Sequence, residues 1–318
     1  MTFRLRLLGD DDPQRAARLR AAGVTLVASD AEPIEAAFGW EPDVSGVLGL
    51  VGQHPSLPWV HMRWAGIPRP LLDGLAPYPA TVLTNGSGAH GPAMAETVLG
   101  MILAHYKAHT VLRAAQARAE WSPQPMKELR GRTAGVVGLG DLGGSIAQVL
   151  SAFGVHVLGV RRAPRPAPSV ERVFGPNQLD ELLPQLDILV LAAPLTSGTR
   201  QLIGAAELAR LPRGAFLVNV GRGELVDESA LIEALVSGQL AGAALDVFET
   251  EPLPADSPLW RLPNVFVSPH CADNTPQSLE RAMEIFLDNL DRFRRGAPLR
   301  NVVDRALGYR QNRNDAPA

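Results

Sequence analysis

The chain has 318 residues, 46% of them apolar and 20% charged, with a formal net charge of −3. That length accommodates two domains with their own cores, and the composition excludes a disordered chain. The near-neutral charge gives no footing for nucleic acid or an anionic membrane surface, and a single cysteine, Cys271, excludes an internal disulfide framework. The apolar stretch Leu5–Gly9 is too short for a secretory signal and Asp10–Asp12 follow at once. The longest apolar runs, such as Ile188–Ala193, are strand-sized. These features predict a cytoplasmic protein with no membrane contact and no metal.

In the first third, strands are expected at Phe3–Leu8, Thr25–Ala28, Gly46–Leu50, Trp59–Met62 and Thr81–Thr84. Arg15–Ala22 reads as a helix ended by Gly23. The alternation predicts a small parallel α/β domain. Two glycine-bearing turns follow strands in it, Ala65-Gly66 and Asn85-Gly86-Ser87-Gly88, and such turns expose backbone N–H groups that can hold an anion. Pro92–Ala119 reads as one long helix or two with a kink, with Met94, Val98, Met101 and Ile102 on one face. Trp121-Ser-Pro-Gln-Pro then breaks the pattern.

From Thr133 the rhythm becomes strand and helix in strict alternation. The opening unit is strand Ala134–Val137, the glycines Gly138, Gly140 and Gly143 in the pattern G-x-G-x-x-G, and a helix over Leu142–Phe153. That context is what a dinucleotide fingerprint needs: glycines for the tight turn and for backbone approach to a pyrophosphate at the helix N-terminus. Further strands are expected at 155–160, 188–192, 215–220, 242–246 and 264–268, with a helix at Glu228–Ser237 between Asp227 and Gly238. After His270, Thr275 and Pro276 start a helix whose Leu279, Met283, Phe286, Leu290 and Phe293 form an apolar stripe. That stripe is expected to pack on the first domain, so that the chain crosses back to where it began. The polar residues 309–318 are expected to fray. Domain limits are placed at 1–100 with 288–318, and 101–287.

Ligands in open parallel sheets bind at the carboxyl ends of the strands. Polar residues just past the predicted strands are therefore the candidates. Arg161 and Arg162 follow the second strand, Arg222 lies between Gly221 and Gly223 after the fourth, Asp246 ends the fifth with Glu249 and Glu251 beyond, and His270 follows the sixth. Reduction of a 2-keto acid needs a hydride at C2 and a proton at the carbonyl oxygen. A histidine, with an ordinary pKa of ~6.5, suits the proton donor, and a nearby carboxylate would favour its charged form. Arg222 has the planar fork that grips a carboxylate. Position alone does not choose between Glu249 and Glu251. Cys271 is expected to be a small buried residue.

Four blocks, GVVGLGDLGGSIA, VNVGRGELVDESAL, GAALDVFETEPLP and NVFVSPHCA, are spread through residues 132–272, and in them the sequence resembles the D-isomer-specific 2-hydroxyacid dehydrogenase family. The resemblance implies a Rossmann doubly wound dinucleotide domain inserted into a smaller flavodoxin-like α/β substrate domain, with substrate between the two. It implies a catalytic set of Arg222, Glu251 and His270, which selects Glu251 over Glu249. It implies that Asp246 holds the nicotinamide carboxamide. Pro194, Thr199, Val220 and Gly221 would line the cofactor beside the glycine loop with Asp141 and Leu142. Ala65, Gly66, Asn85 and Gly86 would form the substrate side, although Trp64–Arg69 replaces the family's usual glycine-rich turn. Where enzymes of this kind that use NAD place an acidic residue on the ribose, this chain has Arg161-Arg162 and no acid until Glu171. An arginine pair would bind a 2′-phosphate, so NADP(H) is expected to be preferred, with NAD(H) possible. The same R-x-P-R-P ending resembles the family's NADPH-dependent glyoxylate/hydroxypyruvate reductases, in which a tryptophan at the place of Trp121 can reach a partner's active site. A homodimer is expected on the same ground. Other substrates within the family (3-phosphoglycerate, formate, phosphite) and a non-enzymatic corepressor-like role are the alternatives.

Overall fold

Strand β1 (Phe3–Leu8) buries Phe3, Leu5 and Leu8 and pairs in parallel on both sides, with β2 (Val24–Leu26) and β3 (Ala36–Gly39). With β4 (Trp59–Met62) and β5 (Val82–Asn85) it forms a parallel sheet of order β2-β1-β3-β4-β5, the flavodoxin-like order. Helices α1 (Pro13–Ala21), α2 (Val44–Gln53) and α3 (Arg69–Gly74) supply the crossovers. The computed structural model describes residues 3–9, 12–41 and 43–310. Asp10 and Asp11, and residues 311–318 of the tail expected to fray, lie outside the described residues.

Two sequence expectations fail in this sheet. Gly46–Leu50, expected as a strand, is the middle of α2. Its apolar residues Val47, Leu50 and Val51 are buried at helical spacing, and the Asp43 carboxylate caps the helix by accepting from Gly46 N–H at 2.8 Å. The strand that was not foreseen, β3, is Ala-Ala-Phe-Gly: all four residues are buried, so it shows no alternation and carries no β-branched residue.

The larger sheet has seven parallel strands: β6 (Thr133–Val137), β7 (His156–Val160), β8 (Arg172–Phe174), β9 (Ile188–Leu191), β10 (Ala215–Asn219), β11 (Leu240–Leu245) and β12 (Val265–Val267). Their order is β12-β11-β10-β9-β6-β7-β8, the Rossmann arrangement, with its topological switch between β6 and β9. Six of these strands were expected; β8, only three residues long, leaves no periodic signal. The long helical stretch before the sheet is two helices, α4 (Gly91–Tyr106) and α5 (His109–Ala117), parted at Ala108, whose φ is +52°. Helix α6 (Asp141–Ala152) follows the glycine turn, and a Cβ on Gly91 at the start of α4 would come within 2.3 Å of Ser145 Oγ on α6.

The chain divides into one unit of residues 1–90 with 276–318 and a second of 91–275. The limits expected from sequence, 100/101 and 287/288, each fall inside a helix. Helix α4 belongs wholly to the second unit because Met94, Val98 and Ile102 share a core with Val136, Ile146 and Val190. Helix α10 (Pro276–Arg294) belongs wholly to the first, where Met283, Phe286 and Leu290 pack with Phe38 and Trp59 (α7 to α9 are Leu179–Leu182, Ala205–Arg210 and Glu228–Val236). After α10, Val303–Asp304 and Tyr309–Arg310 pair as short antiparallel strands, so the first two residues of the expected frayed tail are structured. No helix among the described residues is long and apolar enough to cross a membrane.

Candidate active site

The glycine turn after β6 is fixed by packing at two of its three glycines. Gly138 has φ +97°, and a Cβ there would lie 2.7 Å from the Ala193 backbone; at Gly143 it would lie 1.9 Å from Gly138 O. Gly140 differs. A Cβ added there meets nothing within 4 Å, so no neighbour in the protein demands glycine. Helix α6 starts on Gly140 with no side-chain cap, so the backbone N–H groups of its first turn face outward from the helix start. A bare backbone ahead of a positive helix end fits a dinucleotide's pyrophosphate. Gly138 N–H donates to Val160 O at the end of β7, which places Arg161 and Arg162 on the same sheet edge. Arg161 N–H donates to Phe174 O on β8; its residue is half-buried, while Arg162 is exposed.

Past β9, the Thr199 hydroxyl donates to Pro194 O at 2.7 Å and accepts from Thr196 N–H at 2.8 Å, so it holds its own turn in shape. Past β10, the Asn219 side chain donates to Arg222 O at 2.9 Å and accepts from Gly221 N–H. The flanking glycines are dictated by close approach: a Cβ on Gly221 would sit 2.8 Å from Ala193 O, and one on Gly223 would sit 1.8 Å from Phe248 C. Arg222 is thereby held in a rigid turn beside the buried Val220, with its Nη1 on Gly221 O at 2.6 Å. Burial pushes its pKa down against the carboxylates of Glu251, Glu224 and Asp273, but arginine's basicity is high enough to keep it a cation.

The turn after β12 wraps around Asp246. Its Oδ1 accepts from Ser268 Oγ at 2.6 Å, Cys271 N–H at 2.9 Å and Ala272 N–H at 3.2 Å, while Oδ2 receives only a 3.3 Å contact from Ala272 N–H. Burial pushes the Asp246 carboxyl upward in spite of these bonds. His270 N–H donates to Asp246 O, and His270 itself takes φ +50°, a conformation the turn imposes. The imidazole Nδ1 lies 2.7 Å from Glu251 Oε2. That hydrogen bond raises the His270 pKa above its ordinary value, against the opposing effects of burial and of the Arg222 charge. Burial pushes Glu251 upward too, but the hydrogen bonds from His270 and Phe248 N–H and the charges of His270 and Arg222 together hold it below the usual range.

In the first unit, the turns after β4 and β5 lie side by side because Met62 pairs with Asn85 in register. Asn85 is fully buried and donates through Nδ2 to Ala65 O at 2.6 Å. Gly86 N–H is spent on Trp64 O, and a Cβ there would lie 1.9 Å from Arg63 O. Within the described residues no acceptor meets the N–H groups of Ala65 and Gly66.

The family model for the D-isomer specific 2-hydroxyacid dehydrogenase NAD binding domain matches residues 99–272. Glyoxylate/hydroxypyruvate reductase A of Salmonella newport is 32% identical over 302 residues, 95% of this chain and 90% of that protein. The chain belongs to the D-isomer specific 2-hydroxyacid dehydrogenase family. Among solved structures, a family member from Xanthobacter autotrophicus in complex with NADPH and MES is 34% identical with TM-score 0.84, covering 97% of this chain and 100% of that one. The NADPH-dependent glyoxylate/hydroxypyruvate reductase of Sinorhizobium meliloti, in complex with NADP and sulfate, is 30% identical with TM-score 0.84 and the same coverage.

In this NAD(P)-dependent dehydrogenase, Arg222, Glu251 and His270 converge at the carboxyl edge of one sheet, as the strand-end argument requires. Glu249 points elsewhere: it accepts from Glu228 N–H at the start of α9 and donates its own N–H to Glu228, which leaves Glu251 alone on the histidine. Ser268 and Asn219 stand among the polar residues at strand ends but carry no role in the sequence reading; they hold Asp246 and the Arg222 turn. Cys271, expected to be buried, is exposed, because its backbone N–H is turned inward to Asp246 and the side chain is left outside. Trp121 is 96% exposed and packs on nothing as a core aromatic would.

Proposed function

We propose that this dehydrogenase reduces a small 2-keto acid of the glyoxylate or hydroxypyruvate type to the D-2-hydroxy acid with NADPH. The observation that carries the reading is the 2.7 Å His270–Glu251 pair, electrostatically coupled to the rigidly held Arg222. Bound NADPH supplies the hydride received at C2 of the keto acid. Glu251 occupies Nδ1 of His270 and sustains the imidazolium, so Nε2–H is the proton presented to the carbonyl oxygen. Arg222, half-desolvated in its glycine turn, grips the substrate carboxylate and polarises the carbonyl. In the first unit, the unspent N–H groups of Ala65 and Gly66 are suited to a substrate anion, with Asn85 and Gly86 shaping their turn.

For the cofactor, the α6 N-terminus and Gly140 receive the pyrophosphate, with Asp141, Leu142, Pro194, Thr199, Val220 and Gly221 around it. The lightly used Oδ2 of Asp246 is suited to accept from the nicotinamide carboxamide. Arg161 and Arg162 stand where an acid would repel a 2′-phosphate, and the Xanthobacter and Sinorhizobium relatives hold NADPH or NADP. We further propose a homodimer: Val111, Trp121 and Met126 expose apolar surface along and after α5. The test is oxidation of NADPH and NADH with glyoxylate, hydroxypyruvate, pyruvate and bulkier 2-keto acids. Turnover of the small acids with NADPH ahead of NADH is expected. No turnover with any of them overturns the reductase reading, and a preference for NADH overturns the role of the arginine pair.

A further inference from the structure

We propose that Asn301, far from the catalytic residues in sequence, is a positioning residue for the substrate turns of the first unit. The proposal rests on the assignment of the Ala65-Gly66 and Asn85-Gly86 turns to the substrate.

Asn301 is buried and adopts φ +56°, a left-handed conformation that asparagine tolerates better than most residues. Its amide Nδ2 donates to two carbonyls of one turn, Asn85 O at 3.1 Å and Ser87 O at 2.6 Å. Its own carbonyl accepts from Asn85 N–H at 3.1 Å. The backbone of Asn85 is therefore gripped on both its donor and its acceptor by a single residue. The Asn85 side chain passes the constraint on: Nδ2 reaches Ala65 O at 2.6 Å and Oδ1 accepts from Ser87 N–H at 3.2 Å. Asn301 thus sets the turn after β5 directly and the turn after β4 through one intermediary. The second of these carries the unspent Ala65 and Gly66 N–H groups.

Asn301 is in turn held from α10. Asn289, fully buried on that helix, donates to Arg300 O at 3.0 Å and accepts from Arg300 N–H at 2.7 Å. Val302 forms an antiparallel bridge with Thr84, at the end of β5. Arg281, also on α10, donates to Ala89 O at 2.6 Å. Carbonyls 85, 87 and 89 are all held by residues after 275. A buried polar network whose amides tie these two turns to the segment after α10 fixes their geometry far more narrowly than apolar packing does. The segment that follows α10 is accordingly part of the substrate apparatus, and its sequence tunes which keto acids are accepted.

Two variants test this. Asn301→Gly accepts the positive φ without strain but has no amide. Asn301→Asp keeps the shape and sets a carboxylate against two carbonyls. The wild type and both variants are measured for KM and kcat with the best 2-keto acid, for NADPH Kd by fluorescence, and for amide hydrogen exchange. Each variant loses two hydrogen bonds to one turn, so KM is expected to rise about tenfold or more, with a smaller change in kcat. Exchange over 63–66 and 85–89 is expected to quicken about tenfold, while the NADPH Kd and exchange over 133–160 stay at wild-type values. The glycine variant keeps the test readable if the aspartate variant does not fold. A KM within about twofold of wild type, or unchanged exchange in the two turns, overturns the proposal. A wild type that reduces no 2-keto acid overturns the substrate reading instead, and the exchange data then decide the positioning role by themselves.

Discussion

At the scale of single residues, two histidines on strands or strand ends show what decides chemistry. His61, in the middle of β4, is fully buried; its Nδ1 meets Thr84 Oγ1 at 2.7 Å, and burial pushes its pKa down to about 3. It stays neutral at any working pH and serves packing against Phe38 and Phe286. His270 is half-exposed and paired with a carboxylate, so its pKa moves the other way. Both were visible in the sequence, but only His270 stood just past a strand, among residues from neighbouring strand ends. The choice between Glu249 and Glu251 was not legible from position, because it depends on which way a loop turns after Phe248. In the proposed reaction, reduction needs the protonated imidazole. Its rate is therefore expected to be full below the raised His270 pKa and to fall as pH rises through it. Glu251→Gln removes the main cause of the raised value, so the alkaline limb of the pH–kcat/KM profile should move toward acid, with kcat down by about ten- to a hundredfold. A profile that does not move would detach Glu251 from His270. The same pair contributes to stability with opposite limits: the His270 share is lost as pH rises through its folded pKa, and the Glu251 share as pH falls through its depressed one.

At the scale of elements, the glycine turn separates folding from binding. Gly143→Ala puts a Cβ 1.9 Å from Gly138 O and forces backbone to move, so it should destabilise the protein by about 2–3 kcal/mol or more in urea unfolding. Gly140→Ala meets no protein atom, so its stability should change by less than about 1 kcal/mol while NADPH affinity drops. Equal stability losses for the two substitutions would contradict the division of roles drawn here. This turn was legible because β6, glycines and α6 each declare themselves locally. The elements that were misread lack local declarations. In α2, glycines at 46 and 49 blur the helical pattern of Val47, Leu50 and Val51, and β3 is four small or aromatic residues buried on every side. Both are specified by the surrounding sheet more than by their own propensity.

At the scale of the whole molecule, the first unit is discontinuous, closed by a helix from the end of the chain. Phe286 on α10 stacks on Phe38 with ring centroids 4.2 Å apart and on Trp59 at 5.3 Å, and is fully buried. The apolar stripe of α10 announced a partner, and the modest core of the first domain made it the natural one. Phe286→Ala should cost about 3–5 kcal/mol, read as a first unfolding transition at lower urea, with the second unit's transition unmoved. The same architecture puts the proposed proton donor, its carboxylate and the arginine together in the second unit with the dinucleotide turn. That the arrangement is a reductase with His270 as the acid is the central claim. Its most direct test is NADPH oxidation with glyoxylate and hydroxypyruvate by the wild type and by His270→Ala, with NADPH binding measured on the same samples. The expected result is unchanged NADPH affinity with turnover reduced by about 10²–10⁴-fold in the variant. Turnover near the wild-type rate in His270→Ala would contradict the claim.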